Sequence, residues 1–299
     1  MGTFQLHWDI KKEHHGWLLR EFLREHHISK SALTDIKFNG GKIVVNGNEK
    51  NVRYVLQEGD QVTVHFPEEK RSQSLIPENI PLDIVYEDDY CLIVNKPAFL
   101  STIPSREHPS GSLANGLLHY YDQQRQNLTV HIVNRLDRDT SGLLLVAKHR
   151  YSHFLFSKEQ QKGAVKRTYI AIVHGRISED EGIIDAPIAR KDDSIIERTV
   201  REDGKKAITH FRVISRFSDK TVVEVKPVTG RTHQIRLHMS YIGHPLLGDS
   251  LYGGQKEEID RHALHSQSLS FYHPVLHKNL TYTCKLPPDM EKIIKHARL

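Results

Sequence analysis

Cysteine is scarce in this chain. Cys91 and Cys284 are the only two among 299 residues, and they lie far apart. Neither belongs to a CxxC pair, so a structural zinc site and a disulfide framework are both excluded. Both sit in apolar or strand-like surroundings, which reads as buried free thiols in a reducing cytoplasm. Long hydrophobic runs are missing too. No apolar stretch approaches the roughly 20 residues of a bilayer span, so no membrane partner is expected. The opening "MGTFQLHWDIKKEHHG" has no long apolar segment, so no secretory signal is expected. Leu6 stands where an N-myristoylation motif needs Ser or Thr. Histidine, by contrast, is plentiful at 21 residues, with pairs at His14-His15 and His26-His27. None falls into HExxH or other metal-ligand spacing, so no metal is expected. Nucleotide and flavin motifs are absent as well, and no cofactor is expected.

What is present is an ordinary soluble composition: 38% hydrophobic and 26% charged residues. Net charge is +5 and the isoelectric point about 9.0. That modest basic excess suits a polyanionic partner without proving one. The length predicts about two domains. Residues 1–66 read as a small α/β module. "GWLLREFLREHH" places Trp17, Leu18, Phe22 and Leu23 on one helical face. "ISKSALTDIKFNGG" reads as a second helix, with Ser29 as N-cap and Asn39 to Gly41 as its stop. "KIVVNG" and "DQVTVHF" alternate as short strands do. Residues 67–83, "PEEKRSQSLIPENIPLD", are charged, proline-bearing and poor in large apolar residues, and read as a linker. From residue 84 to 299, short strands alternate with a few helices. Tight turns such as "FSDK" (217–220) favour an α+β fold with a mixed, largely antiparallel sheet.

Four stretches concentrate chemistry. In "VNRLDRDTSGLLLVAK", from Val133 to Lys148, a charged turn precedes a strand that reads as core. Asp137 stands between Arg135 and Arg138 and is followed by Asp139. Guanidinium groups beside a carboxylate favour its ionised form, which could then act as nucleophile or general base. Thr140 and Ser141 can fix the loop, and Gly142 allows a tight entry into the strand. A salt-bridged turn capped by Thr140 accounts for the same spacing. In "VTGRTHQIRLHMSYIGHPLLGD", a helix begins near Thr232 and ends before Gly243. Its positive end, with Arg231 and His233, suits a phosphate. Arg236, a turn further on, could pair with a carboxylate in a two-pronged geometry. A basic helix on a solvated face is the plainer account, and "GHPLLGD" reads as an ordinary loop. In "VKRTYIAIVHG", Tyr169 near a strand start is either packing or, beside Lys166 and Arg167, a platform for a base. In "LIVNKPAFLSTIPS", Lys96 reads as a solvated strand end and only secondarily as a site residue.

In this order, "VYEDDYCLIVNKP", "VNRLDRDTSGLLLVAK", "KRTYIAIVHG" and "PVTGRTHQIRLHMSYIGHPLLGDSLYG" resemble the RluA-type RNA pseudouridine synthases over about residues 80–290. The pairing of "RLDxxTSG" with "GRTHQIRxH…GHPLLGD" is highly specific. Residues 13–66 resemble the RNA-binding module of ribosomal small-subunit protein S-four, which many members of that family carry. One departure is visible: Asn134 stands where the family usually has His.

The resemblance implies a pseudouridine synthase fold and isomerisation of uridine in RNA, with no metal and no cofactor. It makes Asp137 the essential carboxylate. Tyr169 becomes the stacking tyrosine that helps remove the carbon-5 proton, and Arg236 the partner of the carboxylate. Substrate contacts are expected at Arg135, Thr140, Arg231, His233 and Lys96, and RNA contacts at Lys30, Lys37, Lys42 and Arg53. The target base would have to be flipped from its stack into a pocket. Large-subunit ribosomal RNA is the expected partner, with transfer RNA as the alternative, for a monomer in the cytoplasm. Two other classes stay open on the residues alone. One is a non-catalytic RNA-binding or ribosome-assembly protein. The other is a glycoside hydrolase, whose chemistry wants a second carboxylate across the scissile bond, and no second acidic motif stands out.

Overall fold

A computed structural model describes residues 4–105 and 109–297. Gly2 and Met1 lie outside the described residues. The first unit is built on strand β1 (Gln5–Asp9), helices α1 (Leu19–Glu25) and α2 (Lys30–Phe38), and strands β2 (Lys42–Val45), β3 (Asn48–Glu49) and β4 (Gln61–His65). The strands form an antiparallel sheet in the order β1-β4-β2-β3. Side chains alternate across a strand, so Ile43, Val45, Val62 and Val64 all turn inward onto Leu19, Phe22, Leu23 and Ile36. Ser29 caps α2, its hydroxyl oxygen accepting the Ala32 N–H at 3.1 Å. The first helix is shorter than its apolar pattern predicts. Leu18 is extended and bridges Val55, and the N–H groups of Leu19 and Arg20 are taken by Tyr54 and Val52 carbonyls. Trp17 therefore lies outside the helix, 37% exposed. Strand β1 carries the alternation of a half-buried strand, Phe4, Leu6, Trp8 and Ile10 against Gln5, His7 and Asp9, a signal the sequence reading passed over.

Residues 67–82 contain no helix or strand, yet they are strapped to the rest of the chain. The Glu69 carboxylate accepts from the Thr129 hydroxyl and from the Arg150 N–H at 2.7 Å, and it lies 2.6 Å from the His131 ring. Arg71 donates to the carbonyls of Leu128 and Gln126.

The remaining chain builds one large sheet. Its strands are β5 (Asp83–Glu87), β6 (Cys91–Lys96), β7 (His131–Ile132), β8 (Ser141–Ala147), β9 (Lys166–His174) and β10 (Glu181–Asp185). A separate hairpin, β11 (Ile188–Arg190) and β12 (Arg198–Val200), interrupts it before β13 (Ile208–Arg216), β14 (Lys220–Pro227), β15 (Leu264–His273) and β16 (Lys278–Thr283). The order is β10-β13-β14-β9-β15-β8-β6-β5, with β16 on β15 and β7 on β8. Among the described residues only β15 and β8 run parallel. Helices α3 (Leu113–Gln123), α4 (Arg150–Gln161), α5 (Gln234–Tyr241) and α6 (Pro288–His296) complete the unit. This is the α+β, mixed and largely antiparallel arrangement expected. The apolar run of β8 is explained by cover on both faces: Leu144 and Val146 pack with α3, while Leu143, Leu145 and Ala147 pack with Phe156 of α4.

The first unit docks at the far end of β8, where the Phe4 ring stacks on His149 at 3.9 Å and Tyr151 donates to the His26 carbonyl. Both thiols are free, Cys91 fully buried and Cys284 only partly so. No helix among the described residues is long and apolar enough to cross a membrane.

Candidate active site

The charged turn 135–140 enters β8 through Gly142, which has φ +110°. A Cβ there would lie 2.3 Å from the Ser266 carbonyl oxygen, so only glycine lets β8 approach β15 this closely. Four successive carbonyls of the turn each find a donor. Leu136 accepts from the Thr102 hydroxyl at 2.7 Å, Asp137 from the Thr140 N–H at 3.1 Å, Arg138 from Lys96 Nζ at 2.9 Å, and Asp139 from Arg261 at 3.1 Å. Asn134, at the position of the family's usual His, is buried, and its Oδ1 accepts the Leu145 N–H at 2.8 Å. The turn is thus pinned to the sheet on both sides.

Lys96 corrects the expectation of a solvated strand end. It is fully buried, and its ammonium donates to the carbonyls of Pro97 (2.8 Å), Leu100 (2.7 Å) and Arg138 (2.9 Å). Burial pulls its pKa down to about 7, against the pull of Asp137 and Asp139. It is not among the residues that line the cleft, and its bonds hold the loop. Thr140 is likewise turned inward, its hydroxyl 2.7 Å from His262 Nε2 and the residue 2% exposed. Thr140 still lines the cleft, with that hydroxyl held by His262.

Asp137 is 31% exposed at the cleft. Its pKa lies below the ordinary value, but the cause is not the sequence neighbours that suggested it. Arg135 and Arg138 are exposed, so water screens them, and Arg138 lies 3.6 Å from Asp139. Burial alone would raise the pKa, and it is outweighed by His233, Arg236 and His262. Both histidines are themselves pushed down by burial, His262 to about 3. The permanent cation Arg236 is therefore the physical source of the effect at neutral pH. Arg236 Nη1 stands 3.4 Å from Asp137 Oδ2. Its two-pronged bond goes elsewhere, to Asp249, with Nε to Oδ2 at 2.7 Å and Nη2 to Oδ1 at 2.8 Å. Asp249 closes "GHPLLGD", the stretch that looked like an ordinary loop, and nothing local marked it. It is buried and does not line the cleft, so it is no second carboxylate across a bond.

The cleft measures about 610 Å³ and is lined by Asp137, Tyr169, Arg167, Arg135, Arg231 and His233 among others. Tyr169, on β9, is buried at 5% exposure. Burial raises its pKa, with Asp137 adding to the effect and Arg167 and Ser266 opposing it, so the phenol stays protonated. Arg167 lines the same wall, and its Nε is buried without a partner among the described residues. Arg135 and Arg231 stand exposed on the rim. The helix expected from Thr232 begins instead at Gln234, after His233 in the left-handed region at φ +57°. The Arg231 N–H is occupied by the Gln234 side chain at 3.0 Å, so that amide is not open to a phosphate.

Among the described residues, Asp88, Cys91 and His273 form one group with metal-ligand chemistry. Their hydrogen bonds account for them differently. His273 Nδ1 accepts from the N–H groups of Leu276 at 3.0 Å and Val275 at 3.3 Å, which leaves the ring proton on Nε2, facing Asp88 Oδ2 at 3.2 Å. A metal on Nε2 would need a ring stripped of both protons. Asp88 already accepts from the Tyr86 hydroxyl and the N–H groups of Tyr90 and Cys91, each at 2.8 Å, and burial pushes the Cys91 thiol pKa up. The group is a braced turn. Lys30, Lys37, Lys42 and Arg53 are exposed on the first unit, with no ion pair among the described residues.

The chain matches the RNA pseudouridylate synthase family model over residues 89–241. It is 56% identical to an RNA pseudouridine synthase of Bacillus subtilis (strain 168), covering 93% of this chain and 98% of that one. It is 36% identical to ribosomal large subunit pseudouridine synthase D of Escherichia coli (strain K12), over 86% and 83% of the two chains. In fold it is similar to human RNA pseudouridylate synthase domain containing 4, with a TM-score of 0.60 and 22% identity over 72% of this chain and 93% of that one. A pinned carboxylate facing one guanidinium in a cation-rimmed cleft, together with this similarity along nearly the whole chain, gives the conclusion that the chain belongs to the RNA pseudouridylate synthase family.

Proposed function

We propose that this RNA pseudouridine synthase acts through Asp137 on a uridine of large-subunit ribosomal RNA. The observation that carries the reading is the placing of Asp137, whose Oδ2 faces Arg236 Nη1 at 3.4 Å while Tyr169 lines the same cleft. An ionised carboxylate held in this way can attack the sugar's anomeric carbon or remove the proton of the neighbouring ribose carbon. Tyr169 supplies an apolar face for the flipped uracil and a protonated hydroxyl for proton transfer at carbon 5. Arg135 and Arg231, exposed on the rim, are placed for backbone phosphates, and Arg167 joins them from the wall.

The ribosomal substrate is supported by the Escherichia coli relative, whose name assigns it to the ribosomal large subunit. Transfer RNA remains the alternative substrate. Residues 1–66 serve as an S-four-like RNA-binding module, with Lys30, Lys37, Lys42 and Arg53 on phosphates. The same reading takes the enzyme as a cytoplasmic monomer.

The test is a transcriptome-wide pseudouridine map in cells with the wild-type protein, no protein, or Asp137→Ala. Loss of the same uridine sites in the deletion and the variant supports the reading and names the substrate. Sites lost only in the deletion would sink the assignment of Asp137. Sites confined to transfer RNA would replace the ribosomal substrate.

A further inference from the structure

His233 was expected to meet a phosphate. Its contacts point inward instead. The Arg198 N–H on β12 donates to the Tyr252 hydroxyl oxygen at 2.9 Å, and His233 Nδ1 lies 2.9 Å from that same oxygen. Tyr252 is buried, at 8% exposure. A phenol has one proton to give. Nδ1 is the acceptor within its reach among the described residues, and placing the proton there leaves neither buried group unpaired. The ring's own proton must then sit on Nε2. Nε2 is 3.8 Å from Asp137 Oδ2.

Several features fix the ring in that pose. His233, the N-cap of α5, takes a left-handed backbone conformation, φ +57°, which histidine adopts more readily than most side chains. Its side chain is 11% exposed, and burial lowers its pKa, so it is neutral near pH 7. The Tyr252 ring also lies under the Arg236 guanidinium, 5.1 Å from its centroid. One tyrosine therefore steadies both groups that face Oδ2. Oδ1 of Asp137 has no partner among the described residues, which leaves one oxygen anchored and one free to react.

We propose that His233 is a positioning residue for Asp137, its Nε2–H aimed at Oδ2 by a hydrogen-bond chain that starts on the β11–β12 hairpin and runs through Tyr252. A neutral donor orients the carboxylate without adding a second cation, which would weaken it as a base or nucleophile. The inference rests on the reading of Asp137 as the catalytic carboxylate.

Full-length Tyr252→Phe, His233→Gln, His233→Ala and the Tyr252→Phe/His233→Ala double variant test it. The substrate is total RNA from cells lacking the enzyme, with pseudouridine formation followed to give kcat and KM, and thermal unfolding alongside. The expected result is a kcat loss of between about 10- and 100-fold in Tyr252→Phe and His233→Ala, with KM unchanged. The double variant should be no slower than His233→Ala, because both act on one chain. His233→Gln keeps an N–H at the ring's edge and should recover part of the rate. A raised KM with kcat intact would make His233 a phosphate contact and overturn the proposal, as would additive losses or a rate loss that only follows a fall in melting temperature. An Asp137→Asn enzyme at wild-type rate would overturn the reading of Asp137 itself. Wild-type kcat in Tyr252→Phe and His233→Gln, with Asp137→Asn inactive, would overturn only the role of His233.

Discussion

Replacing Asp249 by Asn probes the buried pair on which Arg236, and through it Asp137, depends. Both ends are out of solvent, with side chains 9% and 1% exposed, and two charge-assisted bonds of 2.7 and 2.8 Å join them. Asn keeps the shape and one acceptor oxygen, but it sets an NH2 group against a guanidinium donor. Breaking a buried ion pair from one side costs about 3–5 kcal/mol. One retained hydrogen bond recovers about 1–2 kcal/mol. The net loss is about 2–3 kcal/mol, which in a domain of this size lowers the melting temperature by roughly 5–10 °C. Thermal unfolding followed by circular dichroism reads the stability, and single-turnover pseudouridine formation at a temperature where both proteins are folded reads the consequence. The rate should fall as well, because Arg236 loses the fork that aims Nη1 at Asp137. Replacing both partners, Arg236→Met with Asp249→Leu, should be less destabilising than Asp249→Leu alone, since no uncompensated charge stays buried. An Asp249→Asn protein that melts within about 1 °C of wild type at wild-type rate would refute the reasoning.

Asp137 has a depressed pKa, so its ionised form contributes stability above the ordinary Asp value of about 3.9 and loses it as pH falls below. The single-turnover rate should accordingly be flat from about pH 5 to 6, below the Lys96 pKa of about 7, and Arg236→Gln should bring an acid limb into that window. Lys96→Met leaves three carbonyls without their donor, each costing about 1–3 kcal/mol where water cannot replace it, partly offset by relief from burying an ammonium. Its urea midpoint and its kcat should both fall, and an unchanged kcat would show that the Arg138 carbonyl does not position Asp137. Lys30→Glu with Lys37→Glu should weaken RNA binding and flatten its dependence on salt, read by filter binding across salt concentrations, with kcat at saturating RNA retained.

The sequence by itself determined the elements whose causes are local. The cap at Ser29, the alternation of β2 and β4, and the apolar run after Gly142 are each set by residues within a turn or a strand of one another, so they were readable in order along the chain. The family was legible for the same reason, since its motifs are short contiguous strings. The charge on Asp137 was anticipated, yet from the wrong cations. Arg135 and Arg138 are neighbours in sequence, but both are exposed and screened by water, and the cation that matters comes from a helix 99 positions on. Lys96 looked solvated because Lys96-Pro97 ends a strand and opens a Ser- and Pro-bearing loop. The chain folds the Arg138 carbonyl onto it from 42 positions away. Asp249 carried no local signal, for an ion pair is visible only when both ends are placed. Residues 67–83 read as a linker because their contacts, Glu69 to His131 and Arg71 to Leu128, join positions 62 and 57 apart. Composition and spacing determine which groups exist and which elements they ride on. Only tertiary structure decides which charges face each other and which are removed from water, because both depend on contacts between segments that the sequence leaves far apart.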